Sequence, residues 1–176
     1  MSGIDIGDRM PHATLPGTDG GNHDLADRSA SATVVYWTCN HCPYALAWQD
    51  RIHQVAREYS DRGVRVLAVN SNNAETHPAD SFEAMCDRVE SEGGWPNPYL
   101  HDETQEVARS FGALKTPDVF VFDRDLGLRY RGAPDDDYDD PSRDAAWLRG
   151  ALDAVLAGEQ PEPAATEPVG CGIKWK

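Results

Sequence analysis

The sequence predicts an α/β domain, a mixed β-sheet covered by helices on both faces and entered through an N-terminal β-hairpin. Three observations carry this. The runs TVVYW (33–37) and VRVLAVN (64–70) are almost continuously apolar and rich in β-branched residues, as strands buried on both faces are. The segments after them carry apolar residues every three or four positions, the period of amphipathic helices. The resulting order after the hairpin, β-α-β-α-α-β-β-α, is that of a layered α/β sheet.

Each element has its own warrant. Residues 1–30 are rich in Gly, Pro and Asp, and DGGN (19–22) between short apolar stretches signals the turn of the hairpin. After Pro43, residues Ala45, Trp48, Ile52, Val55 and Tyr59 form one helical stripe, with Gln49, Asp50, Arg57 and Glu58 off it; Gly63 suits the C-terminal cap. Phe82, Met85, Cys86 and Val89 share a second helical face, and GGWPNP (93–98) breaks it. Val107, Ala108 and Phe111 make a short helix closed by Gly112. KTPDVFVFD (115–123) and LGLRYRG (126–132) read as a strand, a turn and an antiparallel partner. Ala145, Leu148, Leu152, Val155 and Leu156 give the last helix. Residues 1–157 form the domain. Residues 158–176 form a proline-rich polar linker and a tail, VGCGIKWK, whose Val169, Ile173 and Trp175 are apolar enough to dock.

A chain of 176 residues buries roughly 70% of its unfolded surface, so it folds without cross-links. Four cysteines are too few for a stapled secreted scaffold. The N-terminus lacks the basic start and apolar core of a signal peptide, and no apolar stretch approaches the roughly 20 residues of a membrane span. A cytoplasmic location is expected. The formal charge of −14 argues against nucleic acid or an anionic membrane as partner. Thirteen arginines against three lysines fit either a GC-rich genome or a salty cytoplasm that screens an acidic surface.

The chemistry sits in VVYWTCNHCPYALAWQ (34–49), where Cys39 and Cys42 stand three apart. As a structural disulfide they would close a tiny loop worth ~2 kcal/mol, against ~4.7 for a 100-residue loop. Zinc would need two more ligands, and Cys86 and Cys171 are isolated, so no metal is expected. The redox reading fits the setting. A buried strand delivers Cys39 to the start of a helix whose first turn suits Pro43. Free N–H groups and the helix dipole there lower the pKa of Cys39, the expected nucleophile. Cys42, one turn further in, is the expected resolving thiol. His41 is either a solvent-facing spacer or an imidazolium that stabilises the Cys39 thiolate.

VVYWTCNHCPYALAW resembles the active-site segment of the thioredoxin fold. Most closely it resembles the peroxiredoxin-like branch of the AhpC/TSA (redoxin) superfamily that carries CNHCPY. The likeness runs through GDRMPHATLPGTDG, GVRVLAVNSNN, YLHDETQEVARSFGALKTPDVFVFD, RYRGAPDDD and VGCGIKW. It implies a thioredoxin-like fold, with Thr116-Pro117 as a cis-proline loop whose residue before proline offers its backbone to substrate. Peroxiredoxins carry Thr or Ser three residues before the peroxidatic cysteine. If Cys42 is laid on that cysteine, Cys39 takes the hydroxyl position, which favours disulfide exchange over peroxide reduction.

The expected function is therefore thiol–disulfide exchange without a cofactor, on a disulfide-bearing protein or small disulfide, with an electron donor the sequence does not identify. Thiol-dependent peroxidase and non-catalytic redox sensor are the alternatives. Cys171, between two glycines after the linker, is either a free tail thiol or a third redox cysteine; the resemblance raises the second because the family shares the GC-x-I-K-W ending. Cys86 is expected as a buried inert thiol, Trp37 and Trp48 as core, and DDDYDD (135–140) as a solvated acidic loop. His12, His23, His53, His77 and His101 show no metal spacing.

Overall fold

The computed structural model describes residues 3–176. The hairpin forms around DGGN, with β1 (Thr14–Pro16) antiparallel to β2 (Asn22–Asp24). The central sheet is built from β3 (Ala32–Trp37), β4 (Val64–Asn70), β5 (Tyr99–His101), β7 (Asp118–Phe122) and β8 (Leu128–Gly132), in the order β5-β4-β3-β7-β8. β3 runs parallel to β4, and β4 parallel to β5; β7 and β8 are antiparallel additions on the other side. A further two-residue strand, β6 (Lys115–Thr116), pairs with β9 (Cys171–Gly172) at the end of the chain.

Side-chain alternation along β3 feeds two cores. Val34 and Tyr36 face α1 (Pro43–Ser60) and α4 (Ala146–Leu156), where Trp48, Ile52, Val55, Leu148 and Leu152 close over them. Val35 and Trp37 face the hairpin and α3 (Glu106–Phe111) through Leu15, Leu25, Ala108 and Phe111. The expected mixed sheet with helices on both faces is what forms, and Trp37 and Trp48 are core. α1 buries the stripe Ala45, Trp48, Ile52, Val55 and Tyr59. Gly63 beyond its end adopts φ +77°, a left-handed conformation costly for a residue with a Cβ. In α2 (Phe82–Ser91) the N-cap Ser81 accepts from the Ala84 N–H at 3.1 Å.

Several elements differ from expectation. β5 and β9 lie outside the expected strands, where two or three residues are too few to show a period of two, and the strand expected over 115–123 is divided at Pro117 into β6 and β7. Cys86 is half-buried instead of buried, because α2 sets only Met85 fully into the core. The run 135–140 is not wholly solvated: Asp135 is buried and accepts from Trp48 Nε1 at 2.8 Å, the Ala145 N–H at 2.9 Å and the Arg51 guanidinium at 2.9 Å. The segment read as a linker lies along β8. The Arg131 N–H donates to the Ala164 carbonyl at 3.1 Å, and the Thr166 N–H to that of Arg131 at 2.9 Å, covering an edge otherwise open to another chain.

Candidate active site

Parallel β3 and β4 end on the same side of the sheet, where α/β folds collect functional groups. Past Trp37 the chain leaves β3 and turns through Thr38–Cys39–Asn40–His41–Cys42 before α1 begins at Pro43. Past Asn70 the loop Ser71–Asn72–Asn73 leads to a 3-10 turn, Pro78–Asp80. That turn puts Asp80 under the cysteine loop. Asp80 is fully buried. Its Oδ1 accepts from the Asn40 N–H at 2.6 Å and Asn70 Nδ2 at 3.1 Å; its Oδ2 accepts from Asn72 Nδ2 at 3.0 Å and pairs with His41 Nδ1. Arg88 of α2 clamps the same loop, donating to the Cys39 carbonyl and to Asn40 Oδ1, each at 3.0 Å, and the Tyr99 hydroxyl donates to Asn40 Oδ1 at 2.8 Å. His41 is exposed, bound to Asp80 on one side and stacked on His77, ring centroids 5.4 Å apart.

The Thr116-Pro117 peptide bond is cis, and this loop packs beside the cysteines. The Thr116 carbonyl oxygen lies 3.2 Å from Cys42 Sγ, and its Oγ1 lies 3.6 Å from Cys39 Sγ. The tail returns to the same place. Cys171 sits opposite Thr116 in the β6–β9 pairing and packs on the cluster of Cys39, Cys42 and Ala45. All four cysteines are free thiols, with Cys39 and Cys42 buried and Cys171 partly exposed. Cys39, Cys42, His41, Thr116, Pro117 and Cys171 thus share one neighbourhood.

Within the contacting Cys39–Cys42 pair the shifts oppose each other, Cys42 drawn down and Cys39 pushed up. Cys42 is pulled down to about 4, first by its contact with Cys39 and then, against burial, by those with Cys171, Ala45 and Thr116. The Cys42 thiol donates to the Thr116 carbonyl at 3.2 Å, a contact that favours its protonated form. Cys39 is pushed far up by its bond to Cys42, then by burial and by the Asp80 charge. Cys171 is pushed up to about 11 by burial and by its own bond to Cys42. Pro43 occupies the first helical position, which makes Cys42 the N-cap, its side chain making no cap hydrogen bond, and leaves Cys39 outside the helix.

Asp80, Arg88, Asn70, Asn72 and Tyr99 were missed as parts of the site. One signal was readable: the polar NSNN at the end of β4 had to lie beside the end of β3, its parallel neighbour. Cys39, His41 and Asp80 also bring ligating atoms within 4.8 Å of one another, a set hidden by the 38 residues between His41 and Asp80. Both oxygens of Asp80 are already engaged by four protein groups, so the arrangement suits a hydrogen-bonded His–Asp pair better than a metal centre. Among the described residues no helix is long and apolar enough to cross a membrane.

The AhpC/TSA family pattern matches residues 6–131. An uncharacterized conserved protein from Geobacillus kaustophilus is 40% identical, with a TM-score of 0.91 over 98% of this chain and 93% of its own. The peroxidoxin BcpB from Mycobacterium tuberculosis shares the fold at 16% identity and a TM-score of 0.63, covering 88% of this chain and 95% of its own. The thioredoxin domain of a thiol-disulfide oxidoreductase from Bacteroides vulgatus does so at 15% identity and a TM-score of 0.57, covering 71% and 86%. No curated protein matches the chain.

Proposed function

The chain belongs to the AhpC/TSA family, and from that premise we propose that it is a thiol–disulfide oxidoreductase working through the Cys39–Cys42 dithiol. The observation that carries the reading is the packing of Cys39 and Cys42 together at the entrance of α1, beside the cis Thr116-Pro117 bond. Cys42 attacks as the thiolate and Cys39 resolves, the opposite of the roles the spacing suggested. In the first step Cys42 Sγ bonds to one sulfur of the substrate disulfide, and the other sulfur leaves as a thiolate. Cys39 Sγ then attacks Cys42 Sγ, its proton passes to the departing substrate thiolate, and the Cys39–Cys42 disulfide remains. A dithiol donor returns two electrons and two protons, and no cofactor is needed.

Thr116-Pro117 lines the approach and offers the Thr116 backbone beside the reacting sulfurs. His41, held by Asp80, modulates the pair. The partners are a disulfide-bearing protein or small disulfide and a thiol reductant, in a compartment where thiols are kept reduced. Thiol-dependent peroxide reduction is the second reading, favoured by the low-pKa Cys42 at a helix entrance, with Cys39 in place of a hydroxyl residue.

Turnover separates the two. With dithiothreitol as donor, the protein should catalyse reduction of insulin disulfides, lose that activity in Cys42→Ser, and leave hydrogen peroxide consumption near the uncatalysed rate. Fast peroxide turnover that survives in Cys39→Ser, without insulin reduction, would replace the proposal with the peroxidase.

A further inference from the structure

One residue touches all three clustered cysteines. Thr116 Oγ1 lies 3.6 Å from Cys39 Sγ, its carbonyl 3.2 Å from Cys42 Sγ, and Oγ1 again donates to the Cys171 carbonyl at 3.5 Å. The approach of the tail to this residue is built into the chain. At Gly170 an added Cβ would stand 2.2 Å from the Thr116 oxygen, so only glycine lets the strand come this close. Beyond Cys171 the tail is fastened residue by residue. The buried Ile173 donates its N–H to Leu114 at 3.1 Å, and the Lys174 N–H donates to Asn72 Oδ1 at 2.9 Å. The Lys174 carbonyl accepts from the Asn73 N–H and Gln105 Nε2, each at 2.8 Å. Gln105 is itself buried in a left-handed conformation, φ 65°, rare for a residue with a side chain. The loop that anchors the tail is the loop that leads to Asp80. The tail thus holds a third sulfur against a dithiol whose residues are almost entirely buried, and that third residue is the one partly exposed.

We propose that Cys171 is a third redox-active thiol that takes over the disulfide from Cys39–Cys42 and presents it to the reductant at the surface. The proposal rests on the dithiol reading and adds the route of re-reduction. In the transfer, Cys171 Sγ attacks Cys42 Sγ of the Cys39–Cys42 bond; the Cys42–Cys171 bond forms, the Cys39–Cys42 bond breaks, and the proton of Cys171 passes to Cys39. No electrons enter or leave. A dithiol reductant then attacks Cys171 Sγ, bonds to it and expels Cys42. The second thiol of the reductant closes its own disulfide, releasing Cys171 and completing a two-electron reduction. Cys42, held at low pKa by its neighbours, is the best leaving group of the three, and expelling it needs no contact between reductant and the buried pair.

The test uses the reduced full-length chain, oxidised with one equivalent of diamide, quenched in acid and digested with trypsin without reduction. Cys39 and Cys42 fall in one tryptic peptide and Cys171 in another, so a Cys42–Cys171 bond appears as two linked peptides. That species should be abundant and absent in Cys171→Ser, and re-reduction of the oxidised variant by dithiothreitol should slow about tenfold or more, because the reductant must reach a buried disulfide. A disulfide confined to the Cys39–Cys42 peptide, with re-reduction within twofold of wild type in Cys171→Ser, would overturn the relay and leave the dithiol reading intact. Absence of either disulfide would overturn both.

Discussion

Alkylation of Cys42 in the reduced protein should be nearly independent of pH between about 5 and 8. With its pKa near 4, about nine-tenths of Cys42 is thiolate at pH 5, whereas an ordinary thiol near 8.5 is ionised to only about 3 parts in 10,000. Nucleophilicity falls with basicity, and a Brønsted slope of about 0.45 over about 4.5 pK units slows the Cys42 thiolate roughly 100-fold. The net advantage over an equally accessible ordinary thiol is about 30-fold at pH 5, vanishes near pH 6.5 and reverses above it. Burial scales every rate by one factor, so the shape of the profile is the diagnostic. Brief iodoacetamide labelling, quenching with an isotopic analogue and fragmentation of the shared peptide would report Cys39 and Cys42 separately. Cys86, half-buried and pushed upward first by burial, supplies an internal reference whose rate should climb about tenfold per pH unit. A Cys42 rate that climbs in the same way while that of Cys39 stays flat would refute the reasoning and restore the order first expected from the spacing.

Three other perturbations follow. Asp80→Asn removes a carboxylate that accepts three amide donors and pairs with His41; it should cost about 2–3 kcal/mol in urea unfolding and lower the pKa of Cys39, whose ionisation the Asp80 charge opposes. His53 is pushed down to about 4 by burial, so the unfolded chain takes up its proton first and stability is lost as pH falls from about 6.5 to 4; the loss totals about 3 kcal/mol, and melting curves should show it flattened in His53→Leu. Gly170→Ala drives a methyl group into the Thr116 carbonyl, which should cost about 1–3 kcal/mol and suppress the Cys42–Cys171 cross-link by displacing the tail; an undiminished cross-link would show that the close approach is dispensable.

What could be read from the chain followed from repetition. TVVYW and VRVLAVN are buried on both faces, and the stripe from Ala45 to Tyr59 has about four turns in which to declare itself. β5, β6 and β9 have three residues or fewer, and they exist because a neighbouring edge receives them. Cys39, Cys42, His41 and the Thr116-Pro117 loop were found because strand, cysteine pair and helix are contiguous or carried by the family likeness. Asp80 and the docking of Cys171 depend on contacts across 39 and more than 120 residues, which no local pattern encodes. Proline at the first helical position makes the residue before it the N-cap, and that residue is Cys42.

The most direct measurement asks which sulfur takes the substrate. The Cys39→Ser/Cys171→Ser and Cys42→Ser/Cys171→Ser variants would each be mixed with one equivalent of a reporter disulfide and followed by mass and by release of the reporter thiol. Cys42 alone should bond to the reporter rapidly and hold it, since neither neighbouring thiol remains to resolve the adduct, while Cys39 alone should react far more slowly. An inert Cys42 beside a Cys39 that captures the reporter would contradict the account at its centre.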